Sequence, residues 1–204
     1  SGTSLALSQF VRARIVPLRT LVVPTLLAML GSLVGARLTG ALSALYLRPV
    51  MLVLLIAMLL FVLLQPRLGE HHAPKHTGRA SFARVAAITL AVGFYDGFFG
   101  PGTGTLLIFL FVTLLGFDFL HASAFAKAAN WGSNIAALTW FTVHGHVLWG
   151  LAVLLAAANV AGAFFGSRLA LKRGNRLVRW VFVSVTTGLL VKLGWQAIQT
   201  LWGT

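Results

Sequence analysis

There is no cysteine anywhere in the chain. Disulfides, thiolate metal sites and a nucleophilic thiol are thereby excluded. Acids are almost as scarce, with Glu70, Asp96 and Asp118 the only three. No carboxylates pair at helical spacing, and the apolar segments hold no Ser/His or His/Glu pair placed to hydrogen-bond on one helix face. The expectation is a protein that is not an enzyme and carries no cofactor. What fills the space is apolar: 58% of the 204 residues are hydrophobic, 9% are charged, and the mean hydropathy is +0.91. No soluble domain of this size has that composition. It predicts an all-α, polytopic transmembrane helical bundle in the plasma membrane (the bacterial inner membrane), with the lipid bilayer as its surroundings. The 16 Lys and Arg would suit nucleic acid, but most lie in short gaps between apolar runs. That is the positive-inside pattern, so no nucleic-acid partner is expected.

Eight apolar segments can be drawn, at 1–11, 20–36, 47–65, 85–99, 105–120, 122–143, 147–170 and 178–202. The first is too short to span, which leaves seven to eight membrane segments. The only long polar stretch, 66–84, holds Glu70, His71, His72, Lys75, His76, Arg79 and Arg84. His72 and His76 have metal-like i, i+4 spacing. Only Glu70 joins them, however, and Pro74 breaks the helix that would align them. A basic, solvated, cytoplasmic linker is expected at 67–84, with no metal.

An internal repeat divides the chain. Gly31-x-x-x-Gly35-x-Arg37-Leu38 recurs 131 residues later as Gly162-x-x-x-Gly166-x-Arg168-Leu169. The same offset, without gaps, carries Leu7 onto Leu138, Phe10 onto Phe141 and Arg48 onto Arg179. In the first copy the turn near residue 13 is basic (Arg12, Arg14, Arg19), while 39–47 is uncharged. In the second the charges have changed ends: the turn near 145 has only His144 and His146, and the later turn is Lys172-Arg-Gly-Asn-Arg176. By the positive-inside rule the two copies are inverted, with the loop 171–177 cytoplasmic. The resulting division is 1–66 as part of a first repeat, 67–84 as linker and 85–204 as second repeat. The offset places the counterpart of residues 93–105 ahead of Ser1. The front half of the first repeat is therefore expected outside this chain, and a site built from both copies incomplete within it.

The stretch from Gly93 to Thr105, Gly-Phe-Tyr-Asp-Gly-Phe-Phe-Gly-Pro-Gly-Thr-Gly-Thr, puts five glycines, a proline and Asp96 inside very apolar sequence. The flanking runs, about 22–24 Å each at 1.5 Å per residue, are shorter than the ~30 Å hydrocarbon core. Either this is a tight turn between two spanning helices, or it is a helix break lining a polar cavity near the midplane. On the second reading Gly100, Pro101, Gly102, Thr103 and Gly104 line the cavity, and the amides of Gly102 to Thr105, at the start of the next helix, attract an anion. Downstream, Lys127, Asn130 and Asn134 fall at i, i+3 and i+7 on one helix face. They supply a positive charge and amide groups that can replace the hydration shell of a small oxyanion. The alternative for Lys127 is to snorkel to the cytoplasmic face. Asp96, beside Tyr95, either faces the cavity and carries a proton for coupled transport or is a structural carboxylate holding the break.

With these motifs the chain resembles the TauE/SafE family, bacterial membrane permeases linked to export of sulfite and organosulfur anions. The likeness is most specific over 93–180, where Gly100 to Gly104, Lys127 and Asn130 correspond to the family's motifs. It implies a secondary transporter that moves a small anion, of sulfite or organosulfonate type, by alternating access. A passive anion channel and a membrane protein without a transport role remain as alternatives.

Overall fold

The computed structural model describes residues 2–13, 15–38, 44–65, 73–74, 78–100, 102–145 and 147–202. The His71, His72 and His76 group, most of the linker, and Pro101 lie outside the described residues. The described chain is all-α: α1 (Gly2–Arg12), α2 (Leu18–Leu38), α3 (Ala44–Leu64), α4 (Gly78–Phe98), α5 (Thr103–Leu115), α6 (Phe119–Val143) and α7 (Trp149–Trp202).

Three boundaries differ from the sequence expectation. The helix before the Gly-rich stretch is not short. It begins at Gly78, inside the stretch expected as linker, and its 21 residues reach about 31 Å. The helix after the stretch is shorter than expected, with 13 residues ending at Leu115. Gly116 stops it in the left-handed conformation (φ 74°), and the amides of Gly116 and Phe117 return to the carbonyls of Val112 and Phe111. Asp118 then caps α6 by accepting from the His121 amide at 2.7 Å. The last two apolar segments form one element, α7, broken at Gly174 (φ 65°, ψ −156°), a backbone state open essentially to glycine alone. The limbs are 149–173 and 175–202.

α2 is the hub, held between α4 and α6. Gly31 and Gly35 of α2 meet Gly93 and Gly97 of α4, and the two backbones touch. A Cβ at Gly31 would lie 2.3 Å from the Leu90 carbonyl oxygen, and one at Gly97 2.0 Å from that of Ser32. The pairings advance together along both helices, so α2 and α4 run parallel. On its other side α2 meets α6: Ser32 donates to the Ser133 carbonyl at 2.8 Å, and Arg37 stacks over Trp140 at 5.1 Å. α1 lies along the first limb of α7, with Gly2 against Asn159 and Ser167 donating to Gln9 at 2.9 Å. The second limb packs on α3 through Leu193, Leu55 and Met58. There Arg179 donates to the Val62 and Gln65 carbonyls, satisfying the C-terminal end of α3.

The interior combines large apolar side chains such as Phe10, Leu21, Phe111, Leu115 and Phe119 with small and hydroxylated ones such as Ala28, Ser32 and Ser133, and the outside also carries large apolar ones such as Leu26, Leu30, Val34, Leu154 and Phe165. Soluble monomers do not expose so continuous an apolar surface. Among the described residues, two helices are long and apolar enough to cross a membrane, Leu18–Leu38 and Trp149–Gln196.

The glycine crossing predicts a sharp contrast. Gly35→Ala puts a Cβ 2.0 Å from the Phe94 carbonyl oxygen, and is expected to destabilise by about 1–3 kcal/mol. Gly150→Ala meets open space, and is expected to leave stability unchanged or raise it by about 0.5–1 kcal/mol. Thermal unfolding in detergent reads both.

Candidate functional site

The Gly-rich stretch folds as two different things. Gly93 and Gly97 belong to α4 and serve the crossing with α2. The break itself is confined to Gly100 and Gly102, with φ of 86° and 82°. Any side chain there would be strained by about 1–2 kcal/mol. Gly102 is the N-cap of α5, and no side chain caps that helix start. Its first-turn amides are therefore left for another partner, with the Asp96 carboxylate already held near this end by Thr103.

That helix start opens on a cavity of about 460 Å³. Gly102, Gly104 and Thr105 of α5 form one wall, and Ser123, Lys127 and Asn130 of α6 form another. Ala6 and Phe10 of α1 and both limbs of α7 complete the lining. Among the described residues Lys127 is the only charged one on the lining, and its ammonium has no carboxylate or carbonyl partner there. A lone cation, a helix N-terminus and an amide converging on a mostly apolar cavity suit an anion chemically. The volume exceeds that of a bare small oxyanion and leaves room for water or an organic tail.

The model for the sulfite exporter TauE/SafE family matches residues 1–193. The chain belongs to the TauE/SafE family. It is similar to the probable membrane transporter protein YfcA of Escherichia coli K12, at 36% identity over 192 residues, covering 94% of this chain and 71% of the relative. A probable membrane transporter protein of Sinorhizobium, ORF9, is 33% identical over 192 residues, covering 94% and 73%. One from Haemophilus influenzae is 32% identical over 190 residues, covering 91% and 74%. No solved structure matches. The protein is thus a membrane transporter of TauE/SafE type, acting on a small substrate.

In this TauE/SafE chain the residues singled out from sequence do not all meet. Gly102, Gly104, Lys127 and Asn130 share the cavity, whereas Gly100 is not on its lining. Asn134, one turn beyond Asn130, is exposed and off the lining. Trp131, which donates to Ser4 at 2.6 Å, marks where α1 begins to cover α6. Tyr95 packs instead beside Leu55 and Met58, with its ring 6.1 Å from that of Phe99. Thr103 turns from the cavity to Asp96. Its Oγ1 lies 2.7 Å from Asp96 Oδ1 and 2.6 Å from the Gly100 carbonyl oxygen, two acceptors for one proton. Ser133 Oγ donates to Asp96 Oδ2. Asp96 therefore ties together the end of α4, the start of α5 and the middle of α6, and no ion pair joins it to Lys127 among the described residues.

Ser123 and Ser133 escaped the sequence reading. Ser123 precedes Lys127 by one helical turn, the signal that would have found it. The role of Gly93 and Gly97 was also legible in principle, because their i, i+4 spacing repeats that of Gly31 and Gly35.

Removing the Asp96 carboxylate should loosen the break. Asp96→Ala removes the carboxylate that joins Thr103 to Ser133 and leaves their hydroxyls only the Gly100 and Asn130 carbonyls, and an expected loss of about 1–3 kcal/mol follows. Asp96→Asn keeps one acceptor oxygen and should lose less, so the order of unfolding temperatures is parent, then Asn, then Ala.

Proposed function

We propose that the protein is a secondary transporter for a small anion of sulfite or organosulfonate type, bound in the cavity between α5, α6 and α7. The observation that carries this reading is Lys127, the one charge on the lining, set beside Asn130 and the uncapped start of α5. Lys127 supplies the opposite charge, and Asn130 and the first-turn amides of α5 orient the oxygens. Ser123 adds a hydroxyl that replaces a further water, whereas the Thr105 hydroxyl is already given to the Gly102 carbonyl. Asp96 is assigned to holding the break, in preference to carrying a proton.

The bundle on this reading spans the membrane as two inverted repeats. Two contacts support it. Arg37 stacks on Trp140, and Ser167 bonds Gln9. With the 131-residue offset, Gln9 is the counterpart of Trp140 and Ser167 that of Ala36. α1 thus meets the first limb of α7 as the end of α6 meets α2. The parallel course of α1 and that limb brings Arg12 and Arg168 to one small cleft. That arrangement fits a single cytoplasmic side for the basic turn near 13, the linker 67–84 and the loop 171–177.

Counter-flow of labelled sulfite in proteoliposomes tests the site. Saturable exchange is expected, with competition by organosulfonates. Lys127→Ala should weaken apparent affinity at least about tenfold, since a hydrogen bond to a charged group contributes roughly 1.5–3 kcal/mol. Lys127→Arg should retain part of the flux. Flux unchanged in Lys127→Ala would remove that residue from the site, and non-saturable flux would mark a passive channel.

Because the chain is free of cysteine, topology can be read with single cysteines and an impermeant thiol reagent. Arg12→Cys and Lys172→Cys are expected to react from the cytoplasmic side, and His144→Cys from the opposite side. Labelling of all three from one side would overturn the inversion.

A further inference from the structure

The first limb of α7 has one small-residue face filled and another bare. α1 covers the face that includes Ser167, and its Gly2 touches Asn159 at the edge of that face. Gly162 and Gly166 point elsewhere: a Cβ at either would meet nothing within 4 Å, and every residue from 153 to 162 is exposed. In the first copy of the motif the same two glycine positions, Gly31 and Gly35, are sealed backbone to backbone by α4. We propose that the Gly162/Gly166 face is the seat of a membrane helix of the same kind as α4. Such a helix carries two small residues four apart, runs parallel to the 149–173 limb, and is supplied by the first repeat.

The proposal rests on the inverted-repeat reading. α4 belongs to the second repeat and packs on α2 of the first. A two-fold relation between the repeats returns this contact as a first-repeat helix on the 149–173 limb. The 131-residue offset puts the counterparts of Gly93 and Gly97 ahead of α1 in sequence. A second copy of this chain is the poorer occupant, because the glycine face of its own α4 is already covered by α2. The relatives have chain to spare for such a helix, since the matched region is 71–74% of their length. Gly162 and Gly166 also line the cavity that holds Lys127, Asn130 and Gly104. The docked helix is therefore a wall of the anion site, which both repeats then build together.

The test uses Gly166→Cys in the otherwise cysteine-free chain, labelled with N-ethylmaleimide. The chain is prepared alone, and also co-expressed with the part of the E. coli YfcA relative that lies outside the match. The segment is expected to co-purify and to slow labelling of Gly166→Cys about tenfold or more, equivalent to roughly 1.4 kcal/mol. Labelling of Gly150→Cys on the same helix should not change. Co-purification should be lost in the Gly162→Leu, Gly166→Leu double variant. Both leucines enter open space in the chain alone, so its unfolding temperature there stays at the parent value, which separates a lost seat from a lost fold. A segment that fails to bind, or binds the double variant equally, overturns the seat. Protection that grows with chain concentration in the absence of the segment, accompanied by self-cross-linking, overturns it in favour of a second copy. The sidedness labels report the inversion separately, so opposite sidedness without docking rejects the seat alone.

Discussion

Everything in this fold is arranged around the contact of two bare backbones. α2 and α4 approach so closely that no Cβ fits at Gly31, Gly35, Gly93 or Gly97. Lipid tails are as apolar as leucine, so burying large side chains gives helices little reason to associate there. Close packing, weak Cα–H···O contacts and interhelical hydrogen bonds supply the attraction instead. Hydroxylated residues accordingly sit among the apolar ones of the core, with Ser32, Thr89 and Ser133 fully or almost fully buried. Their hydroxyls are satisfied by main-chain carbonyls or by Asp96.

That central contact sets the candidate site. α4 is fixed on α2, and α6 is fixed on the other side of α2 through Thr25, Ser32 and Arg37. The end of α4 is then joined to α6 by Asp96, which also holds Thr103 at the start of α5. The start of α5 and the Lys127 face of α6 are thereby brought to one cavity without depending on each other. A buried carboxylate whose oxygens are occupied by hydroxyls does not compete with an incoming anion for Lys127. The acid builds the frame and the base is left open to the cavity.

Much of this was legible in the sequence, because the physical demands were local. Gly100 and Gly102 stand where the chain must adopt positive φ, and the Gly-Pro-Gly spelling announces it. Lys127 and Asn130 share a helix face by spacing alone. Asn134 keeps that spacing, but the face outruns the elements that cover it, and helical period says nothing of where a neighbour begins. Segment ends misled for a similar reason. Apolar character continues through Phe117, Phe119 and Leu120, so hydropathy could not see the helix stop that Gly116 and Asp118 impose. Glycines that allow a turn and glycines that allow contact are spelled alike, which is why Gly93 and Gly97 were read with the break they precede.

The joint at Gly174 has a mechanical side. Its neighbour Asn175 accepts the amide of Leu120 at 2.9 Å, in the first turn of α6. Four residues on, Arg179 grips the end of α3. The limb after the joint is therefore tethered to two other helices within about one turn of its pivot. It cannot swing as a free lever. Any rotation about Gly174 either breaks these bonds or drags the start of α6 with it, and Lys127 rides on α6 two turns further along. The joint and the candidate site are geared to each other, so a hinge motion arrives at the cavity as a displacement of Lys127.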